Sequence, residues 1–86
     1  MTNFSSRCNI LAELWIDYRQ DENFTDFIEY NDLGLPLAYS ISEGLATPNE
    51  QGIKYINETF DLLLEALGKE DEGFETLEDV FNSIEE

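Results

Sequence analysis

Six apolar residues, Ile53, Ile56, Phe60, Leu63, Leu64 and Leu67, fall within an arc of about 100° when this stretch is wound at 100° per residue. A strand would send them to both faces, because its side chains alternate. The segment therefore has to be an amphipathic helix. Its ends are marked as well: Thr47 is a candidate N-cap, Pro48 suits the first helical position, Glu50 stands where a capping box needs it, and Gly68 supplies a stop. A second line, Tyr55, Thr59, Leu62 and Ala66, lies away from the first, and Lys54, Glu58, Asp61 and Glu65 form a narrow charged strip. A helix apolar on so much of its circumference either sits at the centre of its own bundle or shares its second face with another molecule. The central position is the favoured expectation, since several short helices can enclose one of this length. If Tyr55, Leu62 and Ala66 are instead left uncovered, a two-fold homodimer is the simplest consequence.

The rest of the chain reads as shorter helices around this one. From Ser5 or Ser6 to about Gln20, Leu11, Leu14 and Tyr18 share a face flanked by Ile10 and Trp15, opposite Asn9, Glu13 and Asp17, with a serine as N-cap. Asp21 or Asn23 opens a second helix carrying Phe24, Phe27 and Ile28 along one side. In the stretch YNDLGLPLAY, Asn31 and Asp32 terminate that helix, Gly34 is expected at positive φ, and Pro36 fits the first turn of a third. Leu33 and Leu35 read as plugs that hold this joint on the core, and Leu37, Ala38, Ile41 and Leu45 follow helical spacing. A joint accounts for this punctuation without a ligand. After GKEDEG, Thr76 caps a fifth helix with Leu77, Val80, Phe81 and Ile84 at helical spacing and a strongly acidic back. The expected fold is all-α, a bundle of four to five helices forming one acidic domain over residues 1–86, with loose termini.

Charge narrows the function further. Twenty Asp and Glu stand against Arg7, Arg19, Lys54 and Lys69, and with no histidine the formal net charge is −16. Such a field repels phosphate backbones and anionic lipid surfaces, so neither direct nucleic-acid binding nor membrane binding is expected, and a basic protein is the natural partner. Residues 44–86 carry net −10 against −6 for residues 1–43, which makes the C-terminal region the acidic pole. Glu70, Asp71, Glu72, Glu75, Glu78 and Asp79 are its candidate partner-binding residues. The competing reading of the same acidity is solubility or adaptation to salt. Cys8, the only cysteine, excludes an intramolecular disulfide and suits a reducing compartment. With no apolar run of membrane-spanning length and no signal-like start, a cytoplasmic location is expected.

Catalytic chemistry finds little to work with. A Ser or Cys nucleophile lacks an imidazole base, and most of the carboxylates fall on polar helix faces, where burial does not raise their pKa. Glu-x-x-His pairs for a di-iron bundle are impossible without histidine, and an EF-hand aligned on Gly73 puts Gly68 at its first ligand position. The glycine and proline of LGLP do not make a phosphate loop. No enzyme activity, metal or cofactor is expected.

The passages ELWIDYR (13–19), FTDFIEYNDLGLPLAY (24–39) and GIKYINETFDLLLEAL (52–67) resemble small acidic uncharacterised proteins of marine cyanobacteria and their phages. The resemblance implies a cytoplasmic setting and a phage-linked regulatory role, and no activity or site residue. Two functional readings stand together at this point. The first is a non-enzymatic interaction or regulatory protein that binds a basic surface on a larger protein, in a sharper form as a nucleic-acid mimic. The second is a bundle that holds a small apolar ligand or cofactor in a pocket lined by Trp15, Phe27, Tyr30 and Tyr39.

Overall fold

A computed structural model describes residues 2–85 as five helices, α1 (Phe4–Asp17), α2 (Thr25–Tyr30), α3 (Gly34–Ser42), α4 (Glu50–Leu67) and α5 (Leu77–Glu85), with no strand among them. The fold is all-α. One buried cluster draws on every helix: Cys8, Ile10, Leu11 and Leu14 from α1, Ile28 from α2, Leu35 and Ala38 from α3, Ile56, Phe60, Leu63 and Leu64 from α4, and Leu77 and Val80 from α5.

The centre of the bundle is α1, not α4. It packs chiefly against α3 and also touches α4 and α5, while α3 closes on α4. Small side chains make this possible. Ser6, Cys8 and Ala12 are buried alongside Ile10, Leu11 and Leu14, so neighbouring helices close in on several sides of α1. The expectation of a central α4 is therefore overturned, and its second line stays largely open: Tyr55 and Leu62 remain 39% and 43% accessible and Ala66 is exposed, with only Thr59 covered.

Several helix ends differ from the sequence reading for local reasons. Asn3, rather than a serine, caps α1, its Oδ1 accepting from the Ser6 N–H at 2.7 Å, and the helix ends at Asp17 instead of about Gln20. Asn49, rather than Thr47, caps α4, accepting from the Gly52 N–H at 2.8 Å, which leaves Pro48 before the helix. A carboxamide placed directly before the first turn reaches the N3 amide, and it outcompetes a threonine two residues further back. At the other ends Gly44 and Gly68 take φ of 75° and 70°, and Leu45 and Lys69 donate to Ser40 and Leu64 carbonyls five residues back, the left-handed stop of a Schellman turn.

Gly34 does not have positive φ; it is the first residue of α3. It is needed for space instead. A Cβ there would stand 2.6 Å from Thr59 Oγ1 and 2.7 Å from Tyr55 Cε1, so α3 enters against the flank of α4 only because the side chain is missing. The joint before it is continuous, with Leu35 donating to the Asn31 carbonyl at 3.1 Å and Asn31 itself buried. Leu35 plugs the core as expected, whereas Leu33 points outward and is 71% exposed.

Candidate functional site

Helices α2 and α4 diverge enough to leave an apolar groove of about 510 Å³ between them. Phe27 and Tyr30 come from α2, Leu62 and Ala66 from α4, and the carboxylates of Asp26 and Glu65 stand one on each wall. Helical geometry sets this arrangement. Asp26 and Tyr30 are four residues apart on α2, Leu62 and Ala66 four apart on α4, and each pair shares a face. A second cavity of about 270 Å³ shares Tyr30, Asn31 and Leu62 and extends the groove along α4 to Glu58, Thr59 and Tyr55. Asn31 lines both, held by its Nδ2, which donates to the Phe27 carbonyl at 2.9 Å. No Lys or Arg lines either cavity.

The groove joins residues that the sequence reading assigned to two separate sites. Tyr55, Leu62 and Ala66 of the proposed dimer face lie along the same depression as Phe27 and Tyr30 of the proposed ligand pocket. The other two pocket residues are elsewhere: Trp15 packs on Tyr39 with ring centroids 5.6 Å apart, and neither lines the groove. A pocket of Trp15, Phe27, Tyr30 and Tyr39 together is thus not what the fold builds. Sequence reasoning missed Asp26, Glu58 and Glu65 as the rim. The signal was present, because Glu58 and Glu65 border the second apolar line on the helical wheel of α4.

The acidic pole divides into structural and free carboxylates. Asp71 is structural: its Oδ1 accepts from the Thr2 N–H at 2.6 Å, from the Thr2 hydroxyl and from the Gly73 N–H at 3.1 Å, and its Oδ2 accepts from Arg7 at 3.1 Å. Burial pushes its pKa up, but the hydrogen bonds from Thr2, Gly73 and Arg7 outweigh that and bring it down to about 2. Asp79 is structural too. Its Oδ2 accepts from the Thr76 N–H at 3.3 Å while Thr76 Oγ1 accepts from the Asp79 N–H at 3.2 Å, a reciprocal capping box for α5. Glu72 accepts from the Ser83 hydroxyl at 3.3 Å, and Glu70, Glu75 and Glu78 are exposed. The carboxylates of Asp71 and Asp79 thus each carry hydrogen bonds of the fold, Asp71 in a largely shielded position and Asp79 in an exposed one.

Two of the four bases are occupied as well. Arg7 is only 12% exposed, donates to Asn57 at 2.6 Å as well as to Asp71, and lies over the Phe60 ring; the Arg19 guanidinium sits 4.0 Å from the centre of the Trp15 ring. Cys8 is buried in the core, and burial pushes its thiol up to about 11, the state of a packing group. Among the described residues no group of three metal-ligating side chains converges, and no helix is long and apolar enough to cross a membrane.

No family model, curated protein or solved structure matches this chain.

Proposed function

We propose that this protein is a non-enzymatic acidic interaction module that binds a basic surface on a larger protein. The observation that carries the reading is the disposition of charge. Of the four bases in the chain, Arg7 is turned into the core and Arg19 lies on Trp15, while Glu70, Glu75 and Glu78 are exposed. A net charge of −16, with one of its few cations paired to Asp71 in a shielded position, presents a strongly negative field, which steers a basic partner and repels anionic ones. With no histidine in the chain and its single thiol held in the core, the module acts by binding rather than by bond-making. A cytoplasmic setting belongs to the same reading, because the lone cysteine packs instead of pairing.

The test is the association rate with a captured basic partner, measured by surface plasmon resonance at two ionic strengths. The parent rate should fall steeply as salt rises, and a Glu70→Lys, Glu75→Lys, Glu78→Lys variant should associate more slowly with a flatter salt dependence. Asp71 and Asp79 are left untouched, so that fold and recognition are not changed together. A parent rate equal at both ionic strengths would refute the electrostatic reading.

A further inference from the structure

We infer that the groove between α2 and α4 is the docking site for a basic amphipathic helix of another protein. The inference rests on the reading of this protein as an acidic binding module, and supplies the surface and the partner's chemistry.

The floor is apolar and open. Tyr30 is 82% exposed, Leu62 43% and Tyr55 39%. Along α4 the line runs from Tyr55 through Leu62 to Ala66, interrupted by buried Thr59, a rise of about 16 Å, or three turns of an occupying helix. One wall is α4 and the other is the six-residue α2, which ends at Tyr30; ridges of the two can seat a third helix, and the described residues offer no sheet edge that would pair the backbone of an extended peptide.

The rim selects the charge of the occupant. Asp26 from α2 and Glu65 from α4 both line the cavity that holds Phe27, Leu62 and Ala66, and Glu58 lines its extension, with no lining cation to answer them. A helix that lays leucine-like residues on this floor carries its flanking positions past those carboxylates. Lys or Arg there is attracted from both sides, and Asp or Glu is repelled. The same argument disfavours a second copy of the chain, which would set Asp26, Glu58 and Glu65 against their own copies within the field of two bodies of net charge −16. A small apolar ligand is disfavoured by the exposure of Tyr30: a wall 82% open to water does not cover most of a bound molecule.

The probe is a fluorescently labelled leucine–lysine peptide of about three to four helical turns, with leucines at helical spacing. It is compared with a scrambled peptide of equal composition and with a version carrying glutamate for lysine. Fluorescence anisotropy against the full chain should give the amphipathic peptide an affinity about ten-fold or more above the scrambled one. A Tyr30→Ser, Leu62→Gln variant should remove that preference, since it takes away the floor without altering charge. The Glu70→Gln, Glu75→Gln, Glu78→Gln variant should keep the preference while weakening both basic peptides alike. Circular dichroism checks that each variant is folded. Glu65→Lys, on the exposed rim, serves as the second groove probe and should weaken the amphipathic peptide more than the scrambled one.

Equal affinities for the amphipathic and scrambled peptides, or groove variants that bind like the parent, overturn the groove and leave the acidic-module reading standing. Should neither basic peptide bind better than the glutamate version, that reading fails and the groove fails with it. A parent dimer in sedimentation that Leu62→Gln converts to a monomer assigns the groove to a second copy and likewise overturns the proposal.

Discussion

Arg7 on α1 donates to Asp71, in the loop after α4, at 3.1 Å across a separation of 64 positions. Asp71 also receives the Thr2 N–H and the Gly73 N–H, so one carboxylate ties together the N-terminal segment, the central helix and the approach to α5. The pair is largely shielded, with side-chain exposures of 12% and 16%.

Removing the charge from Asp71 leaves a shielded guanidinium with Asn57 as its remaining side-chain acceptor. Asp71→Asn should cost about 3 kcal/mol in denaturant unfolding at neutral pH. The dependence on acid has a definite sign. The folded-state pKa is lowered from 3.8 to about 2, so the associated stabilisation is complete above about pH 4 and is lost as the pH falls through about 2. Allowing for solvent screening, this pH-linked part is about 1 to 2 kcal/mol. The stability difference between parent and variant should shrink across that window, and a difference that stays level would show that Asp71 is not the group responsible.

Gly34→Ala is a sign test. In an unobstructed helix the change to alanine stabilises by up to about 1 kcal/mol. Here the added Cβ meets Thr59 Oγ1, whose hydroxyl is engaged with the Tyr55 carbonyl at 2.9 Å, so α3 must back away from α4. A destabilisation of about 1 to 3 kcal/mol is expected. Thr59→Ala in the Gly34→Ala background should recover only part of it, because it deletes one clashing atom and leaves the contact with the Tyr55 ring. A melting temperature at or above the parent's for Gly34→Ala alone would show that the approach is not tight.

Leu62 and Leu63 are neighbours in sequence on different sides of α4. Leu63 is 1% exposed and Leu62 is 43% exposed. Leu63→Ala should cost about 2 to 5 kcal/mol, as a fully buried leucine does, and Leu62→Ala only about 0.5 kcal/mol. Urea titration of the two variants measures the difference directly. Similar losses in both would mean that the groove is covered in the isolated protein.

Two adjacent carboxylates of α5 should behave differently. Asp79→Ala opens the capping box with Thr76 and should cost about 1 kcal/mol, whereas Glu78→Ala, on an exposed residue, should stay within about 0.5 kcal/mol of the parent. Hydrogen exchange at the first amides of α5 should rise only in the Asp79 variant. Faster exchange in both would place the capping contribution in general charge near the helix terminus.

Buried Phe74 shows why parts of the core were hidden from a sequence reading. It lies outside every helix, so no periodicity marks it, yet the chain entering α5 adds it to the buried cluster that also holds Leu77 and Val80. Ala12 was similarly quiet: its side chain is too small to dominate a hydrophobic stripe, but small size is what lets neighbours crowd α1. The free and committed carboxylates of the acidic pole were indistinguishable for a different reason. Asp71 and Glu70 look alike along the chain, and only the arrival of Thr2 and Arg7 from the far N-terminal end separates them.

Helical periodicity and end signals are local, set by backbone geometry and by side chains within a turn or two, and so the residue order alone specified an all-α chain, the buried faces of Ile56, Phe60, Leu63 and Leu64, and the stop at Gly68. The overall charge was equally legible, since it needs only a count. Which helix is central, which apolar line stays open, and which acids are engaged depend instead on long-range packing that no local window samples. Thus α1 took the centre, Gly34 served for clearance rather than for its φ, and the second line of α4 met α2 in an acid-rimmed groove, because these outcomes follow from how separate helices fit together in space.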